Sequence, residues 1–427
     1  MQATRPVLRV ALPLPLPLPF DYAPPPGIEA ASVQRGQRIL VPFGARELYG
    51  VVVGHALAEP GIELKAARSL LDAMPLLDGE LFESLQWLSQ YLHAPLGEVL
   101  ATALPSALRR GEPLPETTRY AWALTEGGRT ALPAMRAGKP QALANWLASE
   151  NGEEVLLDAA HPGWRAPMRT LRDRGLVERV AIEKDETGTE GIKSRLISSG
   201  PFSLNEEQRT ATEAIDNANG FAPFLLDGVT GSGKTEVYLH AIHACLSRGK
   251  QALVLVPEIG LTPQLLQRFR ARLGVPVDVL HSGLGDTERA RTWMAASRGH
   301  ARVIVGTRSA VFVPLPDAGL IVIDEEHDGS YKQFDGIRYH ARDLALVRAK
   351  ALAIPIVLGS ATPSLESLHN ARAGRFVHLR LRQRAGGAHP PQVRVQDVRK
   401  RPLQAGLSAE AMQAIDAALA SGDQVLV

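Results

Sequence analysis

FLLDGVTGSGKTEVYLHAIHACL, residues 224–246, decides the fold of the larger part of this 427-residue chain. FLLD reads as a short buried strand, GVTGSGKT matches GxxxxGK[ST], and EVYLHAIHACL reads as the helix that follows. Strand, glycine loop and helix in that order turn successive backbone N–H groups and a helix N-terminus toward an anion. Gly228, Gly231 and Gly233 let the loop wrap phosphates, with Val229, Thr230 and Ser232 completing it. Lys234 is placed to reach β- and γ-phosphates and the Thr235 hydroxyl to bind Mg²⁺, so the expected ligand is ATP with Mg²⁺.

Outward from this loop, QALVLVP (251–257), ARVIVGT (301–307), GLIVIDEE (319–326) and IPIVLGSAT (354–362) alternate with helical stretches. That alternation predicts a parallel α/β sheet, and the unbroken apolar runs fit strands covered by helices on both faces. The acids of Asp324-Glu325-Glu326-His327 therefore emerge at a carboxyl strand end, where ligands of open α/β sheets bind. Asp324 is expected to hold Mg²⁺ through water and Glu325 to polarise the water attacking the γ-phosphate.

The whole chain is about three times the usual domain length of roughly 150 residues. At 45% hydrophobic and 22% charged, with a mean hydropathy of -0.05, it is excluded from the disordered, collagenous and coiled-coil classes. Lys and Arg number 47 against 45 acids, so any nucleic-acid site must be a local patch. The one cysteine, Cys245, permits neither an internal disulfide nor a cysteine metal site and suits a reducing cytoplasm. Pro13, Pro15, Pro17 and Pro19 break the apolar N-terminal run, which excludes a signal peptide or membrane helix there. No other stretch reaches the ~18 apolar residues of a span, so neither export nor a membrane is expected.

Residues 7–53 read as a small β-unit, with a helical cap at 79–92 where Leu81, Leu85, Leu88 and Leu92 recur. LPLPLPLP (12–19) reads as polyproline II or an edge strand. A strand at 120–124, two helical patterns, a capping Gly175 and LVERVAI suggest a winged helix. Its Arg165, Arg169, Arg172 and Arg174 suit a phosphate backbone or a plain solvated face. Residues 184–200 are polar and without period, a linker. The expected organisation is a β-rich domain at 1–110, a winged helix at 111–183, a linker at 184–200, a P-loop lobe at 201–380 and a basic segment at 381–427.

GVTGSGKTE, VPEIGLTPQ (256–264), GTRSA (306–310), DEEHDGSYKQ (324–333) and GSATPSLES (359–367) stand in one order. Together they resemble the first, RecA-like motor lobe of superfamily 2 DExH helicases, most closely the PriA family of primosomal replication-restart helicases. ALPLPLPLPFDY (11–22), VPFG (41–44) and ELKA (63–66) resemble that family's 3′-end-binding domain, so the resemblance covers essentially the whole chain.

The resemblance implies that Gln208 reads adenine and that Arg308 and Ser309 touch the backbone of the tracked strand. His327, Ser360 and Thr362 would couple the nucleotide site to the DNA groove. Tyr331, Lys332, Phe334, Arg338 and Tyr339, followed by Arg342, would form an aromatic-rich DNA-coupling loop, a pairing of rings and cations that suits single strands. Phe20, Asp21, Gly44 and Lys65 would cradle the terminal nucleotide of a nascent 3′ end.

The family continues through a cysteine-rich zinc insertion and a second motor lobe with arginine fingers. Here GDQVLV (422–427) resembles that lobe's opening strand, so Zn²⁺ is expected only in longer members. Seven basic residues against Asp397 between positions 380 and 401 read as an exposed lead into the insertion. The implied activity is ATP-driven 3′-to-5′ unwinding at abandoned forks, followed by primosome assembly in a nucleoid-associated, cytoplasmic protein. Implied partners are forked DNA with a nascent 3′ end, single-stranded DNA, loader proteins and single-strand-binding protein. A double-strand DNA translocase and a fork-binding loading scaffold without helicase activity remain open alternatives.

Overall fold

Alternating burial builds the first sheet. A computed structural model describes residues 6–58, 64–116, 119–149, 152, 153, 157, 161, 163–182, 204–384 and 393–427. Strands β1 (Pro6–Ala11), β2 (Phe20–Tyr22), β3 (Arg38–Phe43), β4 (Arg46–Leu57) and β5 (Ser69–Leu70) pair antiparallel in the order β2-β1-β4-β3-β5. Leu8, Val10, Ile39, Val41 and Val52 fill its inner face. Residues 12–19 are neither polyproline II nor edge strand. The Leu14 N–H donates to the Leu12 carbonyl at 2.7 Å and the Leu16 N–H to the Leu14 carbonyl at 2.8 Å, which makes two successive tight turns around prolines.

Helices α1 (Gly79–Leu92), α2 (Leu96–Ala103) and α3 (Ser106–Arg109) follow. The apolar face of α1, with Leu81, Phe82, Leu85 and Leu88, does more than cap the β-unit. It shares one core with Ala11 and Val51 of the sheet and with Trp293 and Phe312 far along the chain. Next come β6 (Arg119–Leu124), α4 (Glu126–Ala131), α5 (Lys139–Ser149), β7 (Gly152–Glu153), α6 (Arg165–Asp173) and β8 (Val177–Ile182). Their three strands form an antiparallel sheet in the order β7-β6-β8, and Leu143, Leu147, Trp164, Met168 and Leu171 pack behind it. Gly175, at φ +69°, takes the left-handed conformation that ends α6. The expected linker at 184–200 lies outside the described residues.

The second half is the expected α/β lobe. Its elements are α7 (Glu206–Asp216), β9 (Ala222–Gly228), α8 (Lys234–Ser247), β10 (Gln251–Leu255), α9 (Pro263–Leu273), β11 (Val277–Leu280), α10 (Asp286–Ser297) and β12 (Val303–Gly306). They continue with β13 (Ala318–Ile323), α11 (Ala341–Ala351), β14 (Pro355–Ser360), α12 (Leu365–Arg372) and β15 (Val377–Leu381). The seven strands run parallel in the order β11-β12-β10-β13-β14-β9-β15. Strands β10 and β14 are buried along their whole length, the pattern of a sheet covered on both faces.

The chain divides into compact units Met1–Ala385 and Gly386–Val427. In the second, Ser408 caps α13 (Ala409–Ala420) and residues 393–401 are exposed. Arg399 there pairs with Asp397 and Arg401 with Glu410.

Candidate nucleotide site and DNA-facing residues

Because β13, β14 and β9 are neighbours, the segments after Ile323, Ser360 and Gly228 meet at one sheet edge. The loop after β9 carries Gly231 at φ +80° and Gly233 at φ +82°, backbone conformations that a side chain would strain. The Ser232 hydroxyl is buried there without a hydrogen-bond partner. Lys234 opens α8, donates from Nζ to the Gly228 carbonyl at 3.1 Å and stands 3.5 Å from Glu325 Oε1.

Asp324 accepts from the Tyr238 hydroxyl at 2.9 Å, a reach possible because Gly359 has no side chain in the way. Burial holds the Asp324 carboxyl above its ordinary range, and the Tyr238 hydrogen bond opposes that rise. Glu325 sits at φ +44°, a conformation that costs a non-glycine residue on the order of 1–2 kcal/mol. That turn places its carboxylate between Lys234 and the His327 ring, whose Nδ1 is 3.6 Å away. The same ring reaches Ser360 Oγ from Nδ1 at 2.7 Å and Thr362 Oγ1 from Nε2 at 3.3 Å. His327, Ser360 and Thr362, linked on paper by resemblance, are thus one hydrogen-bonded group.

Several residues that sequence reasoning missed hold this edge together. Glu326 is fully buried and accepts from the Ser364 N–H at 2.7 Å, the Ser364 hydroxyl at 3.0 Å, the Ser367 hydroxyl at 2.9 Å and Arg342 at 3.0 Å. It ties the end of β13 to the capped start of α12. The signal was the SxxS cap in PSLES, but nothing local says that an acid 38 residues upstream completes it. Tyr238 likewise looked like one more apolar helix position.

Several residues expected at DNA or a base make contacts within the protein. Gln208 is the third residue of a capping box: its Oε1 accepts from the Asn205 N–H at 3.0 Å and its Nε2 donates to the Ser232 carbonyl at 2.9 Å. It braces the glycine loop. Tyr331 is fully buried, with its hydroxyl 2.6 Å from the Asp324 carbonyl and 3.0 Å from that of Leu255. Tyr339 is buried edge-on against Phe312 at 4.7 Å. Neither ring has a face free for a base. Arg342 is drawn into an ion pair with Glu326.

Arg308 donates to the Ser330 carbonyl at 3.0 Å and the Lys332 carbonyl at 2.9 Å, so it supports the 329–332 turn. Ser309, beside it, is half-buried. Phe334 is 70% exposed in a loop closed by the Lys332–His340 bridge, with Arg338 exposed beside it. Lys332 Nζ donates to the Arg338 carbonyl at 2.7 Å.

In the N-terminal sheet, Phe20 packs edge-on against Phe43 at 5.4 Å, next to Gly44, whose φ of +61° makes the β3–β4 turn. The Ala23 N–H donates to the Lys65 carbonyl at 3.1 Å, which sets the exposed Lys65 beside the end of β2. Asp21 lies opposite Arg9, 3.4 Å from its Nε, yet Asp21 Oδ1 is shielded from solvent without a hydrogen-bond donor. Phe20, Asp21, Gly44 and Lys65 thus gather around the β2 end of the sheet.

A glycine loop at the carboxyl edge of a parallel sheet, with Asp324 and Glu325 at the end of the next strand but one, is the arrangement of a P-loop helicase motor lobe. Residues 205–371 match the family model described as DEAD/DEAH box helicase, and residues 9–105 match that of the 3′DNA-binding domain (3′BD). Replication restart protein PriA of Haemophilus influenzae is 41% identical over 429 residues, covering 99% of this chain and 58% of its own. The Bacillus subtilis protein of that name is 33% identical over 485 residues, covering 96% and 60%. The chain belongs to the PriA family and spans about 60% of the length of these two relatives. Among solved structures, RecG bound to a three-way DNA junction is 23% identical, covers 47% of this chain and 26% of its own, and has a TM-score of 0.35, too slight a likeness to argue from.

Proposed function

We propose that this chain carries the DNA-end-binding and nucleotide-binding parts of an ATP-dependent 3′-to-5′ DNA helicase that recognises abandoned forks and starts primosome assembly. The observation that carries the reading is the junction of Lys234, Glu325 and the His327–Ser360–Thr362 group at one sheet edge. The orphaned Ser232 hydroxyl and the side-chain-free wall of Gly231 fit a bound triphosphate. Mg²⁺, held by Thr235 and through water by Asp324, would supply positive charge beside the transferring phosphoryl group. Lys234 would leave the Gly228 carbonyl for the β- and γ-oxygens. Glu325, no longer paired to that ammonium, would orient the attacking water and pass its rearrangement to His327.

Catalysis of this kind is mainly positioning and charge stabilisation, which suits a rigid, partly buried site. In the family the arginine fingers belong to a second lobe, so the 427-residue chain by itself is expected to bind Mg-ATP weakly and to hydrolyse little. Phe20, Asp21, Gly44 and Lys65 would hold the nascent 3′ terminus, with the Asp21 carboxylate accepting from its hydroxyl. Phe334, Lys332 and Arg338 would meet single-stranded DNA. The β6–β8 unit would serve as a winged helix, and Arg165, Arg169, Arg172 and Arg174 lie exposed on or just after α6.

Loader and single-strand-binding proteins are the partners the family implies. Among the described residues no cluster of three or more metal-ligating side chains occurs, and Zn²⁺ stays an expectation for longer members. Among them, too, no helix is long and apolar enough to cross a membrane, and the proposed place of action is the nucleoid. The test is unwinding of a forked duplex by a protein with the full length of the relatives. Strand separation driven by ATP supports the reading, whereas movement that leaves the strands paired would favour a double-strand translocase.

A further inference from the structure

Among the described residues two arginines are nearly or wholly buried, one joined to the start of α1 and the other to the end of α3. Arg38 of β3 is 2% exposed and Asp72 3%. Arg38 grips both carboxylate oxygens of Asp72, then donates to the Leu108 carbonyl at 2.6 Å, in α3, and to the Glu112 carbonyl at 3.0 Å. This fastens the N-terminal sheet to the end of the block. Arg348 of α11 is 0% exposed. It grips both oxygens of Glu80, in the first turn of α1, at 2.8–3.2 Å, and donates to the carbonyls of Val311 at 2.6 Å and Val313 at 2.8 Å. This fastens the other side of the block to the turn that begins with Arg308.

Burying a charged pair stabilises little, because desolvation cancels most of the attraction; its best-attested use is to fix one register. Here the register joins parts 268 residues apart. The turn so held is itself wired to the hydrolytic edge. Arg308 supports the carbonyls at 330 and 332, and Tyr331 between them reaches the Asp324 carbonyl. Beside the latch, a cleft of about 640 Å³ opens between Asp78, Glu80 and Leu81 on one side and Met294, Leu315 and Leu352 on the other. The block is therefore held to the motor lobe by a shared apolar core and by this directional polar contact, with a cleft open on the flank of the contact.

We propose that Arg348 is a positioning residue that transmits occupancy of the N-terminal DNA-end site, through the α1–α3 block, to the 308–313 turn and the 329–332 segment of the motor lobe. It touches neither nucleotide nor DNA. The proposal rests on the reading of Phe20, Asp21, Gly44 and Lys65 as a DNA-end site.

The experiment uses the 427-residue chain and a short primer–template duplex with a 3′-hydroxyl primer end. Anisotropy measures end binding, and amide hydrogen exchange follows residues 308–313 and 329–332 with and without the duplex. In the unaltered chain the duplex slows exchange in both segments. In Arg348→Met the duplex still binds within about twofold, but its effect on exchange falls roughly fivefold or more. Glu80→Gln, which keeps the bonds to Val311 and Val313 and a neutral partner for Arg348, is a milder variant that should fold even where the methionine does not. Its effect should lie between the two.

Unchanged transmission in Glu80→Gln and in a folded Arg348→Met would make the pair a simple staple and overturn the proposal. So would an unaltered chain whose exchange in these segments ignores a bound duplex. Failure of that chain to bind the duplex at all would instead overturn the end-site reading, and the proposal with it.

Discussion

In the seven-stranded sheet β9, β14 and β13 lie side by side and run one way, so the segments after Gly228, Ser360 and Ile323 must meet. In the five-stranded sheet neighbouring strands run in opposite directions, so each edge mixes strand starts with strand ends and topology singles out no place for a ligand. The contrast teaches where physical reading of a sequence has reach. A parallel lobe announces its site by connectivity, and a glycine loop supplies the chemistry locally. An antiparallel sheet holds Phe20, Asp21 and Gly44 near one another through a hairpin and one ring contact, which only a resemblance picks out in advance.

If the lobe's edge is a preorganised unit, its buried acid should be costly to lose. Glu326→Ala would leave Arg342 and two serine hydroxyls without their shared acceptor, and a loss of about 3–5 kcal/mol in stability is expected from denaturant unfolding. A change under about 1 kcal/mol would show that the edge relaxes easily and is not preorganised. The proposed N-terminal site is half-exposed, and its effects should be selective instead. Asp21→Ala is expected to cost about 1.5–3 kcal/mol, roughly tenfold or more, for forks ending in a 3′ hydroxyl, and much less for 3′-phosphate forks. Competition between the two forks measures it, and equal losses would reduce Asp21 to a partner of Arg9.

Away from both sites, Asp216 at the end of α7 has an oxygen without a hydrogen-bond partner, and burial pushes its carboxyl up to about 6. In the unfolded chain it ionises near 3.8, so the folded state pays for ionisation in full above pH 6 and not at all below about 3.8. Asp216→Asn should therefore stabilise the protein at pH 8 by about 1 kcal/mol after allowance for partial exposure, and should change nothing at pH 3.5. Thermal unfolding at the two pH values decides; a gain that is the same at both would refute the burial argument.

What the sequence disclosed follows the same line. Strand order aside, the lobe, its glycine loop and the acids Asp324 and Glu325 could be read from local pattern, because backbone geometry and strand ends are local properties. The 324–342 stretch could not. Its rings and cations looked like a DNA surface, yet Tyr331, Tyr339 and Arg342 turn inward because the carbonyl of Asp324, the ring of Phe312 and the carboxylate of Glu326 await them. Composition cannot say which side of a loop faces the core. Phe334, three residues after the buried Tyr331, is 70% exposed. Gln208 completes a capping box, a role that asks for the same amide as the expected adenine contact. The latch of Arg348 on Glu80 lies beyond any local reading.

The proposed motor depends first on its phosphate cradle, and titration of the chain with a fluorescent ATP analogue tests that cradle most directly. Saturable, Mg²⁺-dependent binding is expected, and Lys234→Ala should weaken it roughly tenfold or more while leaving duplex-end binding unchanged. Binding that ignores both Mg²⁺ and Lys234 would contradict the assignment of residues 228–235 as the nucleotide site.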